Sequence, residues 1–179
     1  MMKHHPPPLI VLTGAPGVGK TRLCMQATRI LQQMGADVAG CLSPARMEGG
    51  RKTGIFVENI VSGERRLLAG PRTGEHGWEL DSAALQWGAA ILTNSPAADV
   101  LVVDELGPLE LSEGKGWAAV CEVLMDHPVA AMIVVRPSLI DKLRQRLPGR
   151  EMTVLEVTEP SPSAEEVAAL LWTAPDGEP

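Results

Sequence analysis

Two short stretches of this chain carry residues able to do chemistry. The first is Gly14-Ala15-Pro16-Gly17-Val18-Gly19-Lys20-Thr21, which fits the pattern GxxxxGK plus a hydroxyl residue without substitution. Glycines at 14, 17 and 19 let consecutive backbone N–H groups wrap an anion, and a helix starting where the loop ends adds partial positive charge. In such a loop Lys20 reaches the β- and γ-phosphates of a nucleotide, and the Thr21 hydroxyl is offered to a magnesium ion. The second stretch is Asp104-Glu105, which ends the apolar run Leu101-Val102-Val103. Ligands of open α/β sheets bind at the carboxyl ends of the strands. There Asp104 suits Mg2+, directly or through water, and Glu105 suits a base that orients and deprotonates an attacking water. An acid pair alone is a weak signal, but behind a matching phosphate loop it becomes a strong one. Together the two stretches predict hydrolysis of a nucleoside triphosphate.

The phosphate loop works only between a strand and a helix, and the flanking sequence supplies both. Leu9 to Leu12 form an apolar run, and Leu23, Ala27, Ile30, Leu31 and Met34 recur at helical spacing before Gly35, a C-terminal cap residue. Residues 37 to 42 read as a buried strand, completing a βαβ unit with a parallel sheet. Residues 43 to 75 break the alternation. Thr53 to Val61 and Arg65 to Ala69 read as strands joined around Ser62-Gly63, an inserted β-hairpin. Asp81 caps a helix to about Thr93, with Leu80 and Leu85 as a hydrophobic staple. A helix from about Lys115 to Met125, a strand from Val129 to Val135 and a helix opened by Pro137 follow. The helix opened by Pro137 carries Leu139, Ile140, Leu143 and Leu147 as its apolar stripe. Thr153 to Val157 is a final strand, and Ser163 with Glu166 forms a capping box for a helix to about Trp172. The expected fold class is α/β, three layers around a mostly parallel sheet. One domain spans 9–173, with loosely ordered tails at 1–8 and 174–179.

Composition narrows the partners. A length of 179 residues with 45% apolar content supports one well-packed domain. A net charge of −6 argues against an electrostatically driven nucleic-acid partner. Cys24, Cys41 and Cys121 are odd in number, far apart and set in apolar surroundings, so they read as reduced core residues. No apolar run approaches a membrane span and the start lacks a signal-peptide core, so the expectation is a cytoplasmic protein with no membrane partner. No Asn-Lys-x-Asp element for guanine occurs, which leaves the base open.

The octapeptide, the stretch GCLSPARMEGGRKTGIFVEN (Gly40 to Asn59), DELGPLEL (Asp104 to Leu111) and RLPG (Arg146 to Gly149) occur in that order. In this combination the chain resembles the THEP-type nucleoside-triphosphatases from about Leu9 to Leu171. The resemblance implies a RecA-like P-loop NTPase core and Mg2+-dependent hydrolysis of ATP, GTP and other nucleoside triphosphates. It also implies two nucleotide-site segments, Gly14 to Thr21 and Asp104-Glu105-Leu106-Gly107-Pro108-Leu109-Glu110-Leu111. Where the family commonly has Thr-Glu-Glu-x-Arg, this chain has Ser43-Pro44-Ala45-Arg46-Met47, so no site residue is carried over there.

Other residues have plainer roles to set against a chemical one. Arg136 follows a strand expected beside the acid-pair strand and can bring its guanidinium to the γ-phosphate, which would make it catalytic. Arg46, Arg51, Lys52, Arg65, Arg66 and Arg72 make the insertion basic, but interleaved glutamates suggest a solvated hairpin. Glu110 reads equally as a loop support or a surface acid. His76 and His127 lack metal-ligand spacing, and Trp78, Trp87, Trp117 and Trp172 read as packing residues. Two alternatives stay open: a nucleotide or small-molecule kinase with the hairpin as a lid, and a nucleotide-dependent regulatory protein.

Overall fold

In parallel strands buried on both faces, apolar residues run continuously instead of alternating with polar ones. Four segments of this chain do so. In the computed structural model, which describes residues 6–72, 77–95, 97–127, 129–159 and 161–173, these are β1 (Leu9–Thr13), β2 (Val38–Leu42), β7 (Val100–Leu106) and β8 (Ala130–Val135). With β9 (Thr153–Glu156) they form a parallel sheet in the order β2-β7-β8-β1-β9. Strand β8 therefore separates the phosphate-loop strand from the acid-pair strand.

Alternate residues of each strand feed opposite layers. Ile10, Leu12, Val100, Val102, Met132 and Val134 pack with Leu23, Ala27 and Leu31 of α1 (Lys20–Gln33) and with Val167 and Leu171 of α6 (Ala164–Leu171). Leu9, Val11, Leu101, Val103, Ile133 and Val135 pack on α2 (Ser82–Thr93), α4 (Val120–Asp126) and α5 (Ile140–Arg146). The expected three layers result. Caps fall where the sequence puts them: Gly35 sits past α1 with φ 89°, Asp81 accepts from the Ala84 N–H at 2.7 Å, and Ser163 and Glu166 close a capping box on α6. Cys24, Cys41 and Cys121 are buried free thiols, and burial raises the pKa of each, to about 12 for Cys41 and about 11 for Cys121.

Three expectations need correction. The insertion is more than a hairpin: β3 (Ala45–Glu48), β4 (Arg51–Asn59), β5 (Arg65–Pro71) and β6 (Trp78–Leu80) make an antiparallel extension that joins the main sheet through β2 and β4. Its outer strands are short and exposed, which is why their pattern is weak. The expected helix from Lys115 begins only at Val120, because Gly114 and Gly116 adopt φ of 67° and 57°. A short helix, α3 (Pro108–Leu111), stands where none was expected. The proline run also has a described end: the Pro8 carbonyl accepts from the Ala131 N–H at 2.9 Å, extending the β1 ladder. His76 and the tail residues 1–5 and 174–179 lie outside the described residues. Among the described residues no helix is long and apolar enough to cross a membrane.

One glycine sets how closely β2 and β7 approach. Gly40 has φ 120°, and a Cβ there would lie 2.0 Å from the Val102 carbonyl oxygen. Gly40→Ala is expected to cost about 3 kcal/mol or more from backbone strain and overpacking. Urea denaturation measures it, and an unchanged midpoint would contradict the assignment.

Candidate active site

The loop from Gly14 to Gly19 leaves β1 and turns into α1 with φ of 142°, 77° and 101° at Gly14, Gly17 and Gly19. These are conformations that side chains strain, so the glycine spacing follows from the backbone path. A Cβ at Gly14 would also lie 2.7 Å from the Val157 carbonyl oxygen. Lys20 is buried and donates to the carbonyls of Gly14 at 2.9 Å and Ala15 at 2.8 Å, so its ammonium sits within the mouth of its own loop.

Asp104 lies on the α1 face of β7, in line with Val100 and Val102. It is wholly buried. The Thr21 hydroxyl donates to its Oδ1 at 3.1 Å and the Ser43 N–H donates to its Oδ2 at 2.9 Å, while the Ser43 hydroxyl donates to its backbone carbonyl. Burial pushes its carboxyl up to about 6 against the bonds from Ser43 and Thr21 that favour the charged form; Glu105 adds to the rise and Lys20 opposes it. The nearby charge of Asp104 is also a secondary reason for the raised Cys24 thiol.

The next residue is handled differently. Asp104 pairs with Val134 and Leu106 with Val135, so Glu105 is an extra residue bulged out of β7. Its φ of 143° makes it the one non-glycine with positive φ among the described residues. The bulge lets Leu106 take the core position that Glu105 would otherwise occupy, beside Leu101 and Val103. Freed from the ladder, Glu105 accepts from Arg136 Nε at 2.8 Å. Arg136 follows β8, the neighbour of β7, so the expected adjacency is met, and its first partner is the candidate base.

The rest of the acidic segment is braced locally. Glu110 is buried, accepting from the Gly107 N–H at 2.9 Å and the Trp117 N–H at 3.5 Å, so it supports the turn that carries Leu106 to Leu111. The Trp117 indole N–H donates to the Leu85 carbonyl at 3.0 Å. Trp117 thus packs as expected, whereas Trp78 stands on an edge strand with Lys52 Nζ 5.7 Å over its ring. Within the extension Arg46, Arg65 and Arg66 pair with Glu48, Glu58 and Glu64, in keeping with a solvated surface.

Three openings border the loop and the start of α1, one of them, of about 590 Å³, lined by Thr21, Arg22, Gln26, Ser43 and Lys52. A groove of about 830 Å³ runs on the β9 side past Gly17–Gly19, Arg22, Gln26, Val157 and Ser161–Ser163. A cavity of about 250 Å³ lies on the side of the antiparallel extension, touching Thr21, Ser43, Glu105 and Arg136.

The family model described as NTPase matches residues 9–162. The chain belongs to this nucleoside-triphosphatase family. Nucleoside-triphosphatase THEP1 of Methanopyrus kandleri is 34% identical over 148 residues, covering 78% of this chain and 81% of that protein. THEP1 of Thermofilum pendens is 32% identical over 174 residues, 90% of this chain and 96% of its own. Among solved structures, a human cancer-related nucleoside triphosphatase superposes with a TM-score of 0.66 at 26% identity, covering 85% of this chain and 89% of that one. THEP1 from Aquifex aeolicus shares the fold with a TM-score of 0.65 at 23% identity, covering 90% and 98%. Family membership makes this protein an enzyme of nucleoside triphosphate hydrolysis.

Sequence reasoning passes over one residue of this candidate site. Ser43 holds both the side chain and the backbone of Asp104, yet it sits in the stretch that departs from the family pattern. The signal is present in the strands: a hydroxyl residue just past β2 lies opposite the acids once Cys41 pairs with Val103.

Proposed function

We propose that this chain hydrolyses nucleoside triphosphates, ATP and GTP among them, with Mg2+, using Lys20, Thr21, Asp104 and Glu105, with Arg136 positioning the last. The observation that carries the reading is the convergence of Thr21, a buried Asp104 and a bulged Glu105 beside the phosphate loop. The donor set fits a hard divalent cation: a hydroxyl and a carboxylate oxygen 3.1 Å apart, the carboxylate shielded from water. A bound magnesium ion would neutralise charge on the β- and γ-phosphates.

The protein's own groups do the rest. Loop N–H groups from Gly14 to Thr21 hold the phosphate chain, and the segment Asp104 to Leu111 closes the other side. Lys20, released from the Gly14 and Ala15 carbonyls, places its charge on the β- and γ-oxygens. Glu105 orients the attacking water and takes its proton, held at the required angle by Arg136. The groove on the β9 side, with Arg22, Gln26, Arg29, Ser161 and Ser163 along it, is where the nucleoside is placed in this reading. Three buried thiols with no disulfide suit the reducing cytoplasm.

Phosphate release across ATP, GTP, CTP and UTP tests the reading. Turnover of several nucleotides, lost on chelation of magnesium and restored by its return, is expected; turnover unaffected by chelation would refute the metal assignment. Arg136→Ala is expected to lower kcat by about 10², the scale of a mispositioned base. Arg136→Lys should recover part of it, whereas full turnover in Arg136→Ala would remove the residue from the mechanism.

A further inference from the structure

The cavity on the extension side, about 250 Å³, has room for a small organic guest as well as for water. Its far wall is apolar, formed by Ile55, Leu68, Leu80, Leu85 and Trp117. Two of these residues are fixed in place: the Trp117 indole N–H is held by the Leu85 carbonyl, and the ring packs so closely on α2 that a Cβ at Gly88 would meet it at 2.8 Å. The wall is therefore preformed, as small-molecule sites usually are.

The polar end of the same cavity is the chemical end. Thr21, Ser43, Glu105 and Arg136 line it, and Lys52 stands at the side. Two cations, Lys52 and Arg136, face two acids, Glu105 and Glu110, so the lining gives no net preference for a charged guest. Strand order then fixes the direction of approach. The β9-side groove and this cavity lie on opposite sides of the phosphate loop. Transfer of a terminal phosphoryl group needs the nucleophile and the leaving diphosphate roughly in line. A guest in the cavity meets the phosphoryl group from the side opposite a nucleoside in the groove.

We infer that the cavity is an acceptor subsite for a small, neutral, apolar-bodied primary alcohol, and that the enzyme transfers the terminal phosphoryl group to it in competition with water. The inference rests on the hydrolytic reading above, because the same Glu105 takes the nucleophile's proton. The alcohol oxygen forms a bond to the terminal phosphorus while the bond from that phosphorus to the bridging oxygen breaks. The hydroxyl proton passes to Glu105, the nucleoside diphosphate leaves with the bridging oxygen, and no electron carrier is involved. The antiparallel extension, through Ile55, Leu68 and Leu80, supplies the wall that selects the alcohol.

The test uses the full chain with ATP and magnesium, and benzyl alcohol, 3-hydroxymethylpyridine and thymidine as probes, followed by phosphorus NMR. At least one probe is expected to give a phosphate monoester at the expense of inorganic phosphate, with a yield that saturates. Leu80→Glu, which places a charge at an exposed edge of the apolar wall, should lower the ester-to-phosphate ratio at least about tenfold. Inorganic phosphate as sole product with all three probes overturns the inference. So does an ester yield that rises linearly without saturation and is unchanged by Leu80→Glu, since that describes an alcohol acting as solvent. Ester without inorganic phosphate would retain transfer and remove hydrolysis, and neither product would remove both.

Discussion

Glu105→Gln is expected to lower kcat by about 10² to 10⁴, or roughly 3 to 5 kcal/mol of transition-state stabilisation, with nucleotide affinity unchanged. The amide keeps the length of the side chain and an oxygen for Arg136 Nε, which donates to Glu105 Oε1 at 2.8 Å. What it loses is the ability to take a proton. The loss should therefore fall on kcat alone. Single-turnover phosphate release and titration with a fluorescent nucleotide separate the two quantities. Turnover equal to the parent's would remove Glu105 as the base, and a weakened affinity with normal kcat would make it a binding residue instead. Backbone strain offers a second arm. With φ at 143°, Glu105 holds a conformation that costs a non-glycine residue roughly 1–3 kcal/mol, so Glu105→Gly should raise stability while turnover falls. A residue kept for packing would lose stability on the same change.

That strained residue also marks where the sequence stops being legible. The strand, loop and helix from Leu9 to Gln33 can be read directly because every determinant is local: an apolar run, three glycines and a helical stripe. Asp104 can be read for the same reason. The bulge at Glu105 cannot, since it exists only in the register between β7 and β8, which sequence spacing does not encode. Ser43 escapes on similar grounds: its role depends on β2 lying beside β7. The antiparallel extension is half legible. Strands β4 and β5 carry enough apolar residues to be recognised, whereas β3 and β6, short and largely exposed, gain definition only by pairing with them. The helix expected from about Lys115 shows the opposite error, where helical spacing reads on through Gly116 although its left-handed backbone breaks the helix.

Asp104→Asn is expected to stabilise the metal-free protein at neutral pH while abolishing the metal-dependent reaction. Burial holds the folded carboxyl at about 6, against an ordinary aspartate value of 3.8. Between those values the folded state binds more protons than the unfolded chain, so stability falls as pH rises through the window and the full deficit is present above pH 6. A displacement of about two pH units corresponds to about 3 kcal/mol at most. Asparagine removes the charge while its amide can still accept from the Ser43 N–H and donate to the Thr21 oxygen, the two groups that hold Asp104 now. In the presence of a chelator the variant should melt up to about 10 °C above the parent at about pH 7.5 and close to it at about pH 4. Magnesium should raise the melting temperature of the parent and leave that of the variant where it was, because a cation that binds only the folded state stabilises it by mass action. A variant less stable than the parent at that higher pH would mean that the buried carboxylate is already compensated within the protein. The same result would remove the argument that Asp104 is held ready for a cation, since the cost of an unneutralised charge is what a bound metal would relieve.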